Sequence, residues 1–113
     1  MRVERELMRG AGPFAVLKLL KRREMYGYEL VEALSEQTEG VLAMGQSTLY
    51  PLLYNLEAKG LVKSRWSRAE SGRKRKYYGL TAKGEAWLGA RREQWRRLVG
   101  AMEGLGVVSP GGE

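Results

Sequence analysis

Between residues 45 and 60 the string GQSTLYPLLYNLEAKG follows the period of a helix. Leu49, Leu52, Leu53 and Leu56 fall on one side of the wheel, and Ser47, Thr48, Pro51, Tyr54, Asn55 and Ala58 fall on the other. The apolar side needs a core, and the polar side offers hydroxyls, an amide and an aromatic edge. Pro51 has no N–H to give and suits a first turn, so the N-cap is expected at Ser47 or Thr48. Gly60 suits the left-handed C′ position that ends such a helix. The positive end of the helix dipole then lies behind Ser47 and Thr48, an arrangement that suits phosphates and base edges.

Upstream, Val3, Leu7 and Met8 form a partial apolar stripe, interrupted by Gly10 and Gly12 before Pro13, where a break or kink is expected. Pro13 would then open a stronger helix, PFAVLKLLKRR, in which Phe14, Val16, Leu17, Leu19 and Leu20 are apolar nearly all round. So much apolar surface in so small a chain implies contact on two sides, with the domain's own core and with a second subunit or more core. Residues 25–27 read as a short connection. In YELVEALSEQTEG, Leu30, Val31 and Leu34 recur at helical spacing and Gly40 is expected to close the helix. The order is helix, link, helix, turn, helix, and residues 45–60 occupy the place of a recognition helix.

After Gly60 the period changes to two. Val62, Ser64, Trp66 and Arg68 alternate with Lys63, Arg65 and Ser67, and KYYGL brings a second strand after the turn AESGR. Arg73, Lys74, Arg75 and Lys76 form an unbroken cationic run beside that turn. Such runs are often only solvated, but Lys63, Arg65 and Arg68 on the adjoining strand favour contact with phosphates or a minor groove. Thr81 caps a last helix, AKGEAWLGARREQWRRLVGAMEG, with Glu85 near its positive end. Leu88, Trp95 and Met102 repeat at seven, with Leu98 and Leu105 between them and Arg91 breaking the set. This short seam suits pairing with a second copy, and packing onto its own domain is the alternative.

Composition narrows the chemistry. Lys and Arg outnumber Asp and Glu by 20 to 13 in 113 residues, a net charge of +7 that suits a polyanionic partner. The chain holds neither cysteine nor histidine, so disulfides, thiol nucleophiles, imidazole bases and the usual soft metal ligands are excluded. Most carboxylates lie beside Arg or Lys at helical spacing, which fits a solvated face better than acid–base catalysis. No enzyme activity, metal or cofactor is expected. No apolar run reaches membrane-spanning length and the first residues lack a signal-peptide core, so a cytoplasmic location is expected.

YGYELVEAL at 26–34, STLYPLLYNLEAKGLV at 47–62, ESGRKRKYYGLT at 70–81 and the Trp-bearing last helix resemble the PadR family of winged helix-turn-helix transcriptional regulators. The resemblance implies a mainly α fold with a small β-hairpin wing (α+β), ending in a C-terminal dimerisation helix. Residues 1–80 would form the DNA-binding domain, 81–103 the dimerisation helix and 104–113 a tail without fixed structure. The family pattern implies a homodimeric repressor of detoxification, efflux or stress genes on an inverted-repeat operator in double-stranded DNA, released by a small aromatic or amphipathic effector.

Ser47, Thr48, Tyr50, Tyr54, Asn55 and Lys59 would meet the major groove, and Arg73, Lys74, Arg75 and Lys76 the flanking backbone. Phe14, Leu17, Leu88, Trp95, Leu98, Val99 and Met102 would form the dimer contact. Trp95 best matches the tryptophan against which some relatives hold their ligand, or it serves only as a packing anchor; Trp87 reads as core. Two departures stand out. GAGP at residues 10–13 replaces a smoother helical start, and the recognition face carries Asn55 and Lys59 where many relatives are more basic. The rival reading is a winged-helix module that binds a partner protein without sequence-specific DNA binding.

Overall fold

A computed structural model describes residues 1–109. Four helices, α1 (Arg5–Arg22), α2 (Gly27–Glu36), α3 (Gln46–Ala58) and α4 (Ala82–Gly104), surround a small sheet of β1 (Met25–Tyr26), β2 (Val62–Arg68) and β3 (Lys74–Leu80). The sheet is antiparallel with β3 in the middle: Met25 faces Tyr78 across one ladder and Trp66 faces Lys76 across the other. This is the winged helix expected from the sequence, with the β2–β3 hairpin as the wing.

The apolar side of α3 is spent as its wheel requires, with Leu49 and Leu53 wholly buried and Leu56 nearly so. They meet Val16, Leu17 and Leu20 of α1, Leu30 and Leu34 of α2, and Tyr78 of β3 in one core. Gly60 ends the helix as expected. It adopts φ +77°, the amide of Leu61 donates to the carbonyl of Leu56 at 2.9 Å, and that of Gly60 donates to Glu57 at 2.9 Å. These two bonds define a Schellman motif and turn the chain directly into β2.

Several expectations are corrected. α1 does not break at residues 10–13 but runs through Pro13, although the proline denies Arg9 an intrahelical donor. Packing overrides propensity here: Gly12 is buried where a methyl group would touch Leu52 and Met44 at 3.4 Å, and Val16, Leu17 and Leu20 anchor the following turns. α3 is capped neither by Ser47 nor by Thr48. Its N-cap is Gly45, whose carbonyl accepts from Leu49 at 3.0 Å, so the helix starts earlier and Pro51 lies beyond the first turn. α2 stops at Glu36, short of Gly40, because Thr38 Oγ1 donates to the carbonyl of Leu34 and accepts from Leu42 N, competing with the next helical turn. Residues 25–27 were expected as a mere connection, but Met25 and Tyr26 form β1 and Gly27 begins α2.

Thr81 caps α4 as expected, accepting from Gly84 N at 2.9 Å, and its hydroxyl also donates to the carbonyl of Gly60 at 2.7 Å. α4 packs on α1 through the buried Leu88 and, further along, through Trp95 against Phe14, and the turns beyond Trp95 are mostly exposed. Leu105 to Val107, placed by expectation in an unstructured tail, close α4 with another Schellman pair, Val107 N to Met102 O and Gly106 N to Glu103 O. Residues 110–113 of that tail lie outside the described residues. No helix among the described residues is long and apolar enough to cross a membrane.

Candidate nucleic-acid interface

The outward side of α3 presents Ser47, Thr48, Tyr54, Asn55 and Lys59, all exposed, with Tyr50 half-buried among them. The wing stands beside this face. Between the two lies a groove of about 670 Å³, lined by Gln46, Tyr50 and Tyr54 of α3, by Tyr26 and Tyr28, and by Trp66 and all four cations from Arg73 to Lys76. No carboxylate lines it. A groove of fixed positive charge walled by aromatic rings suits a phosphate chain whose sugars and bases pass the rings.

The cationic run is not four equivalent charges. Strand alternation separates it: Arg73 and Lys74 are exposed, and Arg75 and Lys76 are half-buried on opposite faces of β3. Arg75 lies over the Tyr26 ring, 4.4 Å from its centre, and donates from Nη1 to the Tyr26 hydroxyl at 2.8 Å. It fastens the wing to β1. Lys76 Nζ sits 5.7 Å from the centre of Tyr54 and 5.6 Å from that of Tyr78, linking the wing to the recognition helix. Ser64 donates to Glu57 at 2.6 Å and adds a second link between α3 and β2.

Two of the three supporting charges on β2, Arg65 and Arg68, are also committed. Arg65 pairs with Glu24 through Nη2 to Oε1 at 2.8 Å and Nε to both carboxylate oxygens, and this hydrogen bonding holds the Glu24 carboxyl below its usual range. Arg68 donates to the carbonyl of Gly72 and braces the turn. Expected beside a phosphate-contacting cluster, these two exposed arginines also brace the frame. Tyr26, Tyr28, Gln46 and Trp66 join the groove although the sequence reading passed over them. Tyr26 lay in a segment too short for any periodicity, and only the tyrosine pair in YGY could have marked it.

Beneath the groove Tyr78 is 1% exposed and its hydroxyl has no hydrogen-bond partner among the described residues. Burial, aided by Tyr54, Glu57 and Tyr50, pushes the phenol up to about 12 from 10.0. A raised folded value means that the neutral phenol's contribution to stability is complete below pH 10 and is lost as pH rises through about 12. Tyr78→Phe should therefore raise stability by roughly 1 kcal/mol at neutral pH, by removing an unpartnered hydroxyl. It should also flatten the alkaline decline, which urea melts of both proteins at neutral and alkaline pH would measure.

The expected dimer residues divide. Leu17 and Leu88 are buried in the chain's own core and have no surface left for a partner, a correction to their expected role. Phe14 and Trp95 stack on each other with ring centres 5.8 Å apart and planes 7° apart, both half-buried beside a shallow depression that Val99 and Arg96 help to line. Leu98, Val99 and Met102 are 46%, 44% and 36% exposed on the free half of α4. Trp87 packs against the core with Arg91 over its ring at 4.3 Å. No cluster of three or more potential metal ligands occurs among the described residues.

Known proteins share both the sequence pattern and the arrangement. A PadR family transcriptional regulator from Eggerthella lenta is 37% identical, with a TM-score of 0.78 over 88% of this chain and 85% of its own. Transcriptional regulator YqjI of Escherichia coli K12 is 34% identical over 79 residues, which span 70% of this chain but only 36% of the relative. Bacillus subtilis PadR, solved in complex with operator DNA, is 26% identical with a TM-score of 0.65, covering 71% of this chain and 45% of its own. The family and fold are those of transcriptional regulators, not of enzymes. Residues 16–90, which carry the last turns of α1, all of α2 and α3, the wing and the start of α4, match the model of the PadR-like family of transcriptional regulators, and the chain belongs to that family.

Proposed function

We propose that this regulator is a cytoplasmic homodimeric repressor that binds an inverted-repeat operator, each α3 reading one half-site in the major groove. The observation that carries this reading is the carboxylate-free groove between the exposed polar side of α3 and the cations of the wing. Ser47, Thr48, Tyr54 and Asn55 have the donors and acceptors for base edges and nearby phosphates, and Arg73 and Lys74 are free for backbone charge. Residues 1–80 act as the DNA-binding unit and α4 as the pairing element. Pairing is supported by the apolar positions left open on α4, which a second copy can cover. The half-buried Phe14–Trp95 stack supports release by a planar aromatic or amphipathic effector lodged against Trp95.

Selection of bound duplexes from a random-sequence pool at near-physiological salt tests the reading. Enrichment of two inverted half-sites about 34–36 Å apart, centre to centre, is the expected result. An unenriched pool would reduce the charge to non-specific attraction and turn attention to a protein partner.

A further inference from the structure

We propose that the start of α1 is a second backbone clamp, in which Arg5 and Arg9, with Lys59 beside them, hold the DNA strand on the flank of α3 that the wing does not reach. The inference rests on α3 being the recognition helix. A helix in a major groove about 12 Å wide has a phosphate backbone on either side of it. The wing can serve only one of them.

α3 forms a ridge between two grooves. On its other flank lies a groove of about 510 Å³, in which Thr48 and Asn55 of α3 and Lys59 just past its end face Arg5 and Arg9 of α1. Like the wing groove, it has several cations and no carboxylate in its lining. Glu4 and Glu6 alternate with the arginines in the sequence but do not line the groove.

Three observations fix the position and availability of these charges. The amide of Val3 donates to the carbonyl of Val41 at 3.1 Å, holding the segment before α1 against the turn that leads into α3. The buried Gly12 lets α1 approach Leu52 of α3 closely, so the first turns of α1 run beside the recognition helix. Among the described residues, neither Arg5 nor Arg9 makes a side-chain hydrogen bond or ion pair, whereas Arg22, Arg23 and Arg65 are all paired. Met8, Pro51 and Leu52 give the groove an apolar floor along which arginine stems can lie with their guanidinium groups outward. Arg91, at the far end, is committed to the Trp87 ring and is left out of the clamp.

The test uses the full chain and its selected operator, measuring affinity by anisotropy across a salt series. Wild type is compared with R5Q/R9Q, R5K/R9K and the wing variant R73A/K74A. R5Q/R9Q should lower the slope of log K against log salt by about 0.9 for each phosphate contact removed, weaken all sequences alike and leave the preferred sequence unchanged. R5K/R9K should restore most of the slope, which a merely structural role for the arginines would not predict. Hydroxyl-radical protection should disappear from the backbone that R73A/K74A leaves protected. A wild-type slope in R5Q/R9Q overturns the clamp. So does an unchanged slope with altered dimer dissociation, which would assign the groove to a second copy of the chain. If wild type itself selects no sequence and is not retained on DNA, the recognition-helix reading fails, and the clamp with it.

Discussion

Gly84→Ala is expected to remove more than about 3 kcal/mol of stability, out of the roughly 5–15 kcal/mol typical of a domain, and to lower the urea midpoint accordingly. A methyl group at residue 84 would lie 2.0 Å from the carbonyl oxygen of Leu61 and 2.7 Å from Leu80 Cδ1. The first obstacle is backbone and cannot rotate away. That carbonyl also accepts from both the amide and the hydroxyl of Thr81, so moving it would loosen the cap of α4 and the end of α3 together. Gly89→Ala on the same helix is the comparison: nothing lies within 4 Å of its added methyl, and alanine should stabilise the helix by roughly 0.5–1 kcal/mol. Equal urea midpoints for wild type and Gly84→Ala would mean that α4 does not cross β2 this closely.

Arg73→Ala with Lys74→Ala is expected to weaken DNA binding about 30-fold per chain near physiological salt, if each residue serves one phosphate. The same pair should reduce the slope of log K against log salt by about 1.8 per chain and leave the preferred sequence unchanged. Tyr54→Ala or Asn55→Ala should instead alter which duplexes are selected, because their groups stand on the helix that faces the bases. Arg75 separates charge from placement. Arg75→Lys keeps the cation but loses the planar stack and the hydrogen bond to Tyr26, so it should weaken binding with little change in salt slope. A slope that falls as far in Arg75→Lys as in the double variant would show that Arg75 does not act through the wing's position.

What could be read from the sequence was what periodicity and end signals encode. Leu49, Leu53 and Leu56 of α3 are buried and Leu52 is packed against them at the edge of the core, Gly60 stopped the helix where a left-handed residue was needed, and Thr81 opened α4 in the expected way. These features depend on residues a few positions apart. The start of α3 at Gly45 and the end of α2 beside Thr38 were local misreadings, and the other failures involve partners distant in the chain. Pro13 looks like a helix start until Gly12 is seen packed against Leu52 and Met44, and Leu17 looks available to a second subunit until the core closes over it. Met25 and Tyr26 become a strand only because β3 lies alongside. Alternation in the hairpin was legible, but its consequence for the cationic run was not. That Arg65, Arg68 and Arg75 are each engaged within the chain depended on Glu24, the Gly72 carbonyl and Tyr26 being brought beside them.

The outer half of α4 bears on gene dosage. Leu98, Val99 and Met102 are uncovered within the chain, and the pairing proposed above, which would bury them, would depend on how much protein the cell contains. Below the dissociation constant of the pair, doubling the copy number would raise the number of pairs about fourfold, by simple mass action. Promoter occupancy would then follow protein abundance more steeply than a single chain could achieve, and dilution at cell division would itself relax control.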